Sequence, residues 1–214
     1  MPSSPPEPLP LGDALPALPL AAAPETRPKR ADAALNRERI LCAAARLFAD
    51  RGIEHVTMHD VAREAHVGVG TLYRRFGDRS GLALAVLDEA ESAFQDRIIR
   101  GAPPLGPGAP AADRLRAFGV EYLGFVDDHV EILAAVPMFA SLSGPWAFYR
   151  THIGLLVAEA APGIDTGYAT EALAASLIAP LHLHLRRGRG WPLERLQAGW
   201  AAQVNAWLAL AARG

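Results

Sequence analysis

The chain has 214 residues, half of them hydrophobic, which is enough for a sizeable core in one domain or in a small domain joined to a larger one. The formal net charge is −2, but residues 27–79 hold eleven Lys/Arg against seven Asp/Glu, whereas residues 80–214 hold ten against thirteen. This asymmetry indicates an anionic partner for one segment. The single cysteine excludes an intramolecular disulfide and no long apolar run predicts a membrane span, so we expect a protein of the reducing cytoplasm.

The first 30 residues are rich in proline and alanine. Nine of the first 28 residues are proline, which removes helix hydrogen bonds and predicts a disordered arm over residues 1–30. Its last residues, "RPKR" at 27–30, are either an additional phosphate-binding element beside a nucleic-acid module or an ordinary solvated linker.

The first helical pattern begins at Ala33 and continues for roughly 18 residues. One apolar stripe runs along it, formed by Ile40, Ala44, Leu47 and Phe48. Gly52 then predicts the end of the helix. Cys42 lies inside this pattern, and we expect it to be a small buried hydrophobic residue rather than a reactive thiol.

Two short helices follow, separated by a turn that contains glycine. Thr57 and Asp60 have the spacing of a capping box at the start of the second helix. The stretch "HVGVG" at 66–70 interrupts the periodicity, and in the third helix Leu72 and Phe76 are one turn apart and face the core. Asp78 then predicts the cap of a longer helix over residues 79–100.

Helices joined in this way describe a helix-turn-helix unit, whose second helix enters the DNA major groove. Because Leu72 and Phe76 face the core, the outer side of that helix carries hydroxyl and guanidinium donors on Thr71, Tyr73, Arg74 and Arg75. Phosphates and base edges accept hydrogen bonds from such groups. The alternative is a solvated cationic surface without a ligand.

Residues 37–83 resemble the DNA-binding domain of the TetR family of bacterial transcriptional regulators. The resemblance rests on the threonine-capped second helix, on "VAREA" and "GTLYRRF", and on a basic residue, Arg79, three positions after Phe76. It implies an N-terminal three-helix helix-turn-helix DNA-binding domain over residues 31–80. A helical ligand-binding and dimerisation domain is then expected over residues 81–214.

The resemblance also assigns roles at the DNA. Thr57 and Tyr73 correspond to phosphate contacts, and Arg79 takes the place of the usual lysine at the fourth helix. The residues expected at the DNA are Thr57, His59, Gly68, Val69, Gly70, Thr71, Tyr73, Arg74, Arg75 and Arg79. From helical phase we expect Arg75 to read a base and Arg74 to contact phosphate. His66 stands where the family usually has glycine, and a positive φ there would cost about 1 kcal/mol.

Beyond residue 100 the sequence changes character. The stretch "GAPPLGPGAP" at 101–110 predicts a linker. Helical periodicity then resumes over residues 111–128, 130–141, 145–161, 166–187 and 193–212, and Pro180 is expected to kink the fourth of these helices. No segment alternates with period two, so the predicted fold class is all-α.

The last two helices are too apolar to form a free surface. They therefore either pair with another copy of the chain or both belong to the core. TetR-family chains pair these helices across a two-fold axis, which predicts a homodimer interface containing Leu177, Leu181, Trp200, Val204 and Trp207. Between residues 118 and 152, aromatic and polar side chains either line an effector pocket or form a buried layer. They are Phe118, Tyr122, Phe125, His129, Met138, Phe139, Trp146, Tyr149 and His152.

These features predict a repressor that a small molecule, unidentified by the sequence, releases from a palindromic double-stranded DNA operator. An activator or dual regulator of the same fold, and an adaptor that does not bind DNA, are the alternatives. An enzyme is not expected, because "SLSGPW" at 141–146 lacks the setting of a nucleophile elbow and Asp127 and Asp128 diverge on a helix. His182 and His184 diverge by about 200°, so neither a metal nor another cofactor is expected.

Overall fold

The structure is a computed structural model that describes residues 26–135 and 144–213. Met138 and Phe139, predicted to line a pocket, lie outside the described residues, as does most of the predicted arm. The described part of the chain is helical and contains no strand, which confirms the all-α class. None of the helices in these two ranges is long and apolar enough to cross a membrane.

The N-terminal unit consists of α1 (Thr26–Arg51), α2 (Met58–Glu64) and α3 (Val69–Phe76). The prediction that residues 26–30 belong to an arm is wrong, since α1 begins at Thr26. Pro28 lies in its first turn, where backbone N–H groups have no partner within the helix, so the missing donor is tolerated.

The core side of α1 was predicted correctly, but the burial of Cys42 was not. Ile40, Ala44, Leu47 and Phe48 are all buried. Cys42 is exposed, because it shares the outer side of the helix with Arg39 and Arg46, three residues before it and four after it. Gly52 ends the helix with a φ of 79°, as expected of a glycine stop.

Helix α4 (Arg79–Arg100) connects the two parts of the molecule. Asp78 caps it by accepting a hydrogen bond from the Gly81 amide at 2.8 Å, as predicted. The helix packs on α1 and α3 near its start and on α5 (Ala111–Ala135) farther along. The two helices predicted over 111–128 and 130–141 are a single helix as far as residue 135, since no glycine or proline interrupts residues 125–135.

The C-terminal part continues with α6 (Pro145–Ala160), α7 (Thr166–Ala175), α8 (Ala179–Leu183) and α9 (Leu193–Ala211). One π-helical turn, His184–Gly188, extends α8. The single helix predicted over 166–187 is therefore wrong: the chain leaves α7 after Ala175, and Pro180 lies in the first turn of α8 instead of kinking a longer helix.

Helix α5 is the centre of the C-terminal part and contacts α6, α8 and α9. Trp200 of α9 lies over Gly119 of α5, and a Cβ added at Gly119 would come within 1.9 Å of the indole ring. The indole Nε1 donates to the carbonyls of Leu115 and Arg116 at 3.1 and 3.2 Å. Trp200 therefore fixes how closely the two helices approach each other.

This packing corrects part of the predicted dimer interface. Trp200, Val204 and Leu177 are at most 2% exposed within the single chain, so they are core residues and cannot form a surface for a second copy. Leu181 and Trp207 are partly exposed. The three buried positions were misassigned because an apolar helix has the same composition whether its partner is its own α5 or another subunit.

Candidate nucleic-acid interface and inner aromatic cluster

The start of α2 is held by the capping box that the sequence predicts. The Asp60 amide donates to the Thr57 hydroxyl at 3.2 Å, and the Asp60 carboxylate accepts from the Thr57 amide at 3.1 Å. The Thr57 hydroxyl also donates to that carboxylate at 2.6 Å, and this bond is the main reason that the pKa of Asp60 lies below its usual range. Thr57 can contact a phosphate only if its hydroxyl proton turns from Asp60 to the phosphate.

The turn between α2 and α3 places His66 in the left-handed region, with a φ of 54°. Gly68 precedes α3 at the N-cap position, so no side chain caps the start of this helix. A Cβ added at Gly68 or Gly70 would meet no atom within 4 Å. The backbone at the start of α3 is therefore open to close approach by a ligand.

The outer side of α3 carries the predicted donors. Leu72 is fully buried, whereas Tyr73, Arg74 and Arg75 are exposed. Val69 differs from expectation, because it is half-buried and packs against the core instead of facing a groove.

The arginines of this region differ in their partners. Arg75 donates from Nη1 to the carbonyl of Ala33 on α1 at 3.1 Å, and Arg79 donates to the carbonyl of Glu54 at 2.7 Å. Arg74 donates to no group among the described residues. Arg75 and Arg79 thus tie α3 and the start of α4 to earlier parts of the domain, while the guanidinium of Arg74 is available to a partner.

The remaining predicted DNA contacts lie on the same part of the domain. His59 is exposed near the start of α2, and Thr71 is half-buried in the first turn of α3. Both side chains can donate hydrogen bonds to phosphate oxygens or to base edges. Helices α2 and α3 therefore present hydroxyl, imidazole and guanidinium groups on the same part of the domain.

Comparisons with known proteins bear on this domain. The family described as "Bacterial regulatory proteins, tetR family" matches residues 40–86. Two HTH-type transcriptional regulators of Staphylococcus aureus, from strains bovine RF122 / ET3-1 and USA300, are 42% and 45% identical over 65 residues. The match assigns residues 40–86 to the TetR family of DNA-binding domains. The matched stretch is 30% of this chain and spans 35% of the length of each curated relative.

Solved structures extend the similarity of the TetR fold along the chain. A TetR-like transcriptional regulator from Rhodococcus sp. RHA1 is 21% identical with a TM-score of 0.56, over 82% of this chain and 97% of its own. A Saccharomonospora viridis chain described as a transcriptional regulator, in complex with choline, is 21% identical with a TM-score of 0.64, over 80% and 96%. FadR from Bacillus subtilis, in complex with stearoyl-CoA, is 14% identical with a TM-score of 0.59, over 78% and 96%. At such identities the likeness establishes the fold alone.

The C-terminal half of the chain contains an inner aromatic cluster, which we define as the rings that pack together between α4, α5 and α6. Ring centroids of Tyr122 and Tyr149 lie 4.9 Å apart, and Phe118 lies 5.6 Å from Tyr122 and 5.2 Å from His152. The cluster contains most of the predicted pocket residues together with one residue of α4: Phe94, Phe118, Tyr122, Phe125, His129, Trp146, Tyr149 and His152.

Polar atoms inside this cluster are poorly paired. The Tyr149 hydroxyl and His152 Nε2 are buried and have no hydrogen-bond partner among the described residues. Burial, and next the charge of Arg114, lower the pKa of His152 to about 4, so the imidazole is neutral at pH 7. Buried polar groups without partners are rare in proteins, and an ordered water or a bound ligand is a way to complete their bonding.

Two residues of α4 were missed at this site. Glu91 lies on the inner stripe of the helix with the buried residues Leu87, Phe94 and Ile98, and Gln95 is one turn further on. The sequence signal was available, since a carboxylate at an apolar position of a helical stripe is unusual. Burial, and next the charge of Asp88, raise the pKa of Glu91 to about 7.

A separate cavity of about 270 Å³ lies beside α8 and contains none of the predicted pocket residues. Its walls are Asp127, Val130, His182, Leu183, Arg186 and Arg187. The Asp127 carboxylate accepts hydrogen bonds from Arg186 Nε at 2.7 Å and from His182 Nε2 at 2.8 Å. These bonds, led by that of Arg186, hold the pKa of Asp127 below its usual range and tie α5 to α8.

The two histidines of this region lie on different sides of the helix. His182 is buried, whereas His184 is exposed, as expected for positions two apart. Among the described residues no group of three His, Cys, Asp or Glu side chains is arranged to hold a metal ion.

Proposed function

We propose that the chain is a dimeric transcriptional repressor that binds a palindromic DNA operator through α3 and is released from it by a small molecule. The observation that carries this proposal is the outer side of α3, where Tyr73 and Arg74 are exposed on a helix whose other side is buried. A solvated cationic surface would need neither the capped α2 nor the open backbone at Gly68 and Gly70.

The partners of the arginines reverse the roles first expected for them. Arg75 already donates to a carbonyl of α1, so we assign it the positioning of α3 in the domain. Arg74 is the residue that we expect to read a base edge, since an arginine can donate two hydrogen bonds to guanine in the major groove. Tyr73 and Thr57 are expected to contact the phosphate backbone, with Arg79 supporting them from α4.

Effector binding is assigned to the inner aromatic cluster. Chains of this fold were solved with ligands as different as choline and stearoyl-CoA, so the fold accommodates varied molecules. Helix α4 links this cluster to the DNA: its cap, Asp78, follows directly on α3, and Phe94 packs among the aromatic rings. A ligand that displaces α4 would change the spacing of two recognition helices, and a coupling of roughly 1–3 kcal/mol would lower operator affinity about 5- to 150-fold.

The dimer is assigned to the side of α9 that does not pack on α5 or α7. Ala202, Ala206 and Leu210 are exposed there, and Trp207 and Leu181 are partly exposed. Two recognition helices can then enter successive major grooves about 34–36 Å apart.

The test is fluorescence anisotropy with duplex DNA from upstream of the gene that encodes the chain, at two salt concentrations. The wild type is expected to bind specifically, Arg74→Ala to lose about 1–3 kcal/mol of discrimination, and Tyr73→Phe to weaken binding to all sequences. Arg100→Ala, which removes an exposed arginine paired with Asp96 at the far end of α4, is the matched control and should bind like the wild type. Equal binding by wild type and Arg74→Ala would remove α3 from the interface, and binding without transcriptional repression in a reporter would favour the activator alternative.

A further inference from the structure

The carboxyl group of Glu91 occupies an unusual place on α4. It is half-buried on the stripe formed by Leu87, Phe94 and Ile98, which face the interior. Among the described residues it forms no ion pair and accepts no hydrogen bond. Burying an ionised carboxylate without a partner costs free energy unless a cation or a hydrogen-bond donor compensates it.

Phe94, three residues after Glu91 on the same stripe of α4, packs among the aromatic rings. Phe94 is 5.8 Å from Tyr122 and 5.8 Å from Tyr149, centroid to centroid. Burial raises the pKa of both tyrosine hydroxyls, and the charge of Glu91 raises them further. Gln95 lies near the Tyr149 hydroxyl and lowers its pKa, although the two groups do not have the geometry of an ordinary hydrogen bond.

Two arginines lie close to the inner aromatic cluster. Arg97 lies 5.8 Å from the Phe94 ring centre, but its guanidinium is bound to Glu121 at 2.7 Å. Arg114 is close enough to His152 to lower its pKa, and the Arg114 Nε is buried without a hydrogen-bond partner among the described residues. The Glu91 end therefore combines one acid without an ion-pair partner with several aromatic rings, and both features attract a cation.

We propose that this end of the inner aromatic cluster binds the ammonium group of an organic cation, with its charge beside Glu91 and its alkyl groups against Tyr122 and Tyr149. The inference rests on the proposed function, because this cation would be the effector that moves α4. The partial exposure of Glu91 gives the ligand a route from solvent. An ammonium group suits the site because it offers charge to the acid and apolar surface to the rings at the same time.

The experiment compares two molecules of the same shape. Choline and 3,3-dimethylbutan-1-ol differ in that a carbon atom replaces the quaternary nitrogen, so only choline is charged. Binding is followed by tryptophan fluorescence, since Trp146 lies 6.0 Å from Tyr122. Tetraethylammonium and benzyltrimethylammonium extend the cation series to larger alkyl and aryl groups.

We expect at least one of the three ammonium probes to bind, and choline to bind at least tenfold more tightly than its neutral analogue if choline is that probe. Glu91→Gln should weaken ammonium binding tenfold or more and leave the neutral alcohol unaffected, while Glu159→Gln, an exposed acid on α6, should change neither. Circular dichroism verifies that both variants are folded. Failure of all three cations to bind, or equal binding to wild type and Glu91→Gln, would overturn the inference.

Failure of the inference and failure of the proposed function give different results. If the chain binds DNA specifically but no ammonium probe binds, the cation site is wrong and the regulator assignment is untouched. If ammonium probes bind through Glu91 but no DNA is bound, the cation site is correct and the chain is not a DNA-binding regulator. Release of DNA by the probe in the wild type, and its loss in Glu91→Gln, would support both.

Discussion

His66 is the residue at which sequence and backbone disagree most clearly. It has a φ of 54°, a conformation that glycine adopts without cost and that other residues adopt rarely. We expect His66→Gly to raise the free energy of unfolding by about 1 kcal/mol, measured by urea denaturation. The control is His59→Gly, inside α2, which should lower it by about 0.5–1 kcal/mol. Equal destabilisation by both variants would mean that the His66 side chain makes a contribution larger than its backbone strain.

Glu91 makes a pH-dependent contribution that opposes folding. Burial raises its pKa from 4.5 to about 7, so between these values the folded state keeps a proton that the unfolded chain releases. The free energy of unfolding therefore falls as pH rises through this window. After allowance for the solvent that reaches a half-buried group, we expect Glu91→Gln to be more stable than the wild type by about 1–2 kcal/mol at pH 8.

The pH dependence of that difference is the check. Near pH 4.5 the acid is largely protonated in the folded state, and the glutamine variant should match the wild type to within a few tenths of a kcal/mol. Asp88, Tyr122 and Tyr149 are the other titratable groups near Glu91, and the two tyrosines remain neutral throughout this range. A stability difference that is the same at pH 4.5 and pH 8 would show that ionisation of Glu91 is not its cause.

Contact between α5 and α9 depends on a missing side chain. Because a Cβ at Gly119 would come within 1.9 Å of Trp200, Gly119→Ala must push the helices apart, and we expect a loss of about 1–3 kcal/mol or more. Gly124, on the same helix, has no atom within 4 Å of such a Cβ. Gly124→Ala should therefore stabilise the chain by up to about 1 kcal/mol through helix propensity. Thermal unfolding of the two variants should move in opposite directions, and a stabilised Gly119→Ala would contradict the packing.

Helix ends were predictable where the chain carries a local signal. Asp78 and Gly52 set the start of α4 and the end of α1 as expected, because capping and positive φ depend on neighbouring atoms. The break after Ala175 was missed, since proline was expected to kink a continuing helix rather than to begin a new one. The single α5 was also missed, because the predicted break between residues 128 and 130 contains no glycine or proline that would end a helix.

Site residues were predictable where they lie close together in the sequence, and contacts between residues remote in sequence were not. The donors of α3 follow from helical phase and the burial of Leu72, but the attachment of Arg75 to Ala33 joins residues 42 apart and has no sequence signature. Trp200 was assigned to an interface for the same reason, since its partner Gly119 is remote in sequence. Glu91 could have been identified from its place in an apolar stripe, whereas its aromatic neighbours come from two other helices.

The proposed dimer requires the exposed side of α9 to pack against a second copy of the chain. Ala206 is exposed on its free side, so Ala206→Arg should leave the subunit folded but bury a charge between two copies, at a cost of several kcal/mol. Light scattering is expected to report a monomer for this variant and a dimer for Ala45→Arg, an exposed position on α1. Trp200→Glu, by contrast, should unfold the subunit because that ring is core. A dimeric Ala206→Arg would move the interface to another surface.

We propose that α3 of a two-fold dimer reads DNA, and selection of preferred sites from a random duplex library tests this proposal most directly. We expect enrichment of an inverted repeat whose half-sites lie about one helical turn apart, at a separation of roughly 34–36 Å. Arg74→Ala should change the preferred base at one symmetric pair of positions, whereas Arg100→Ala should change none. No enrichment by the wild type, or an identical preferred site for wild type and Arg74→Ala, would contradict it.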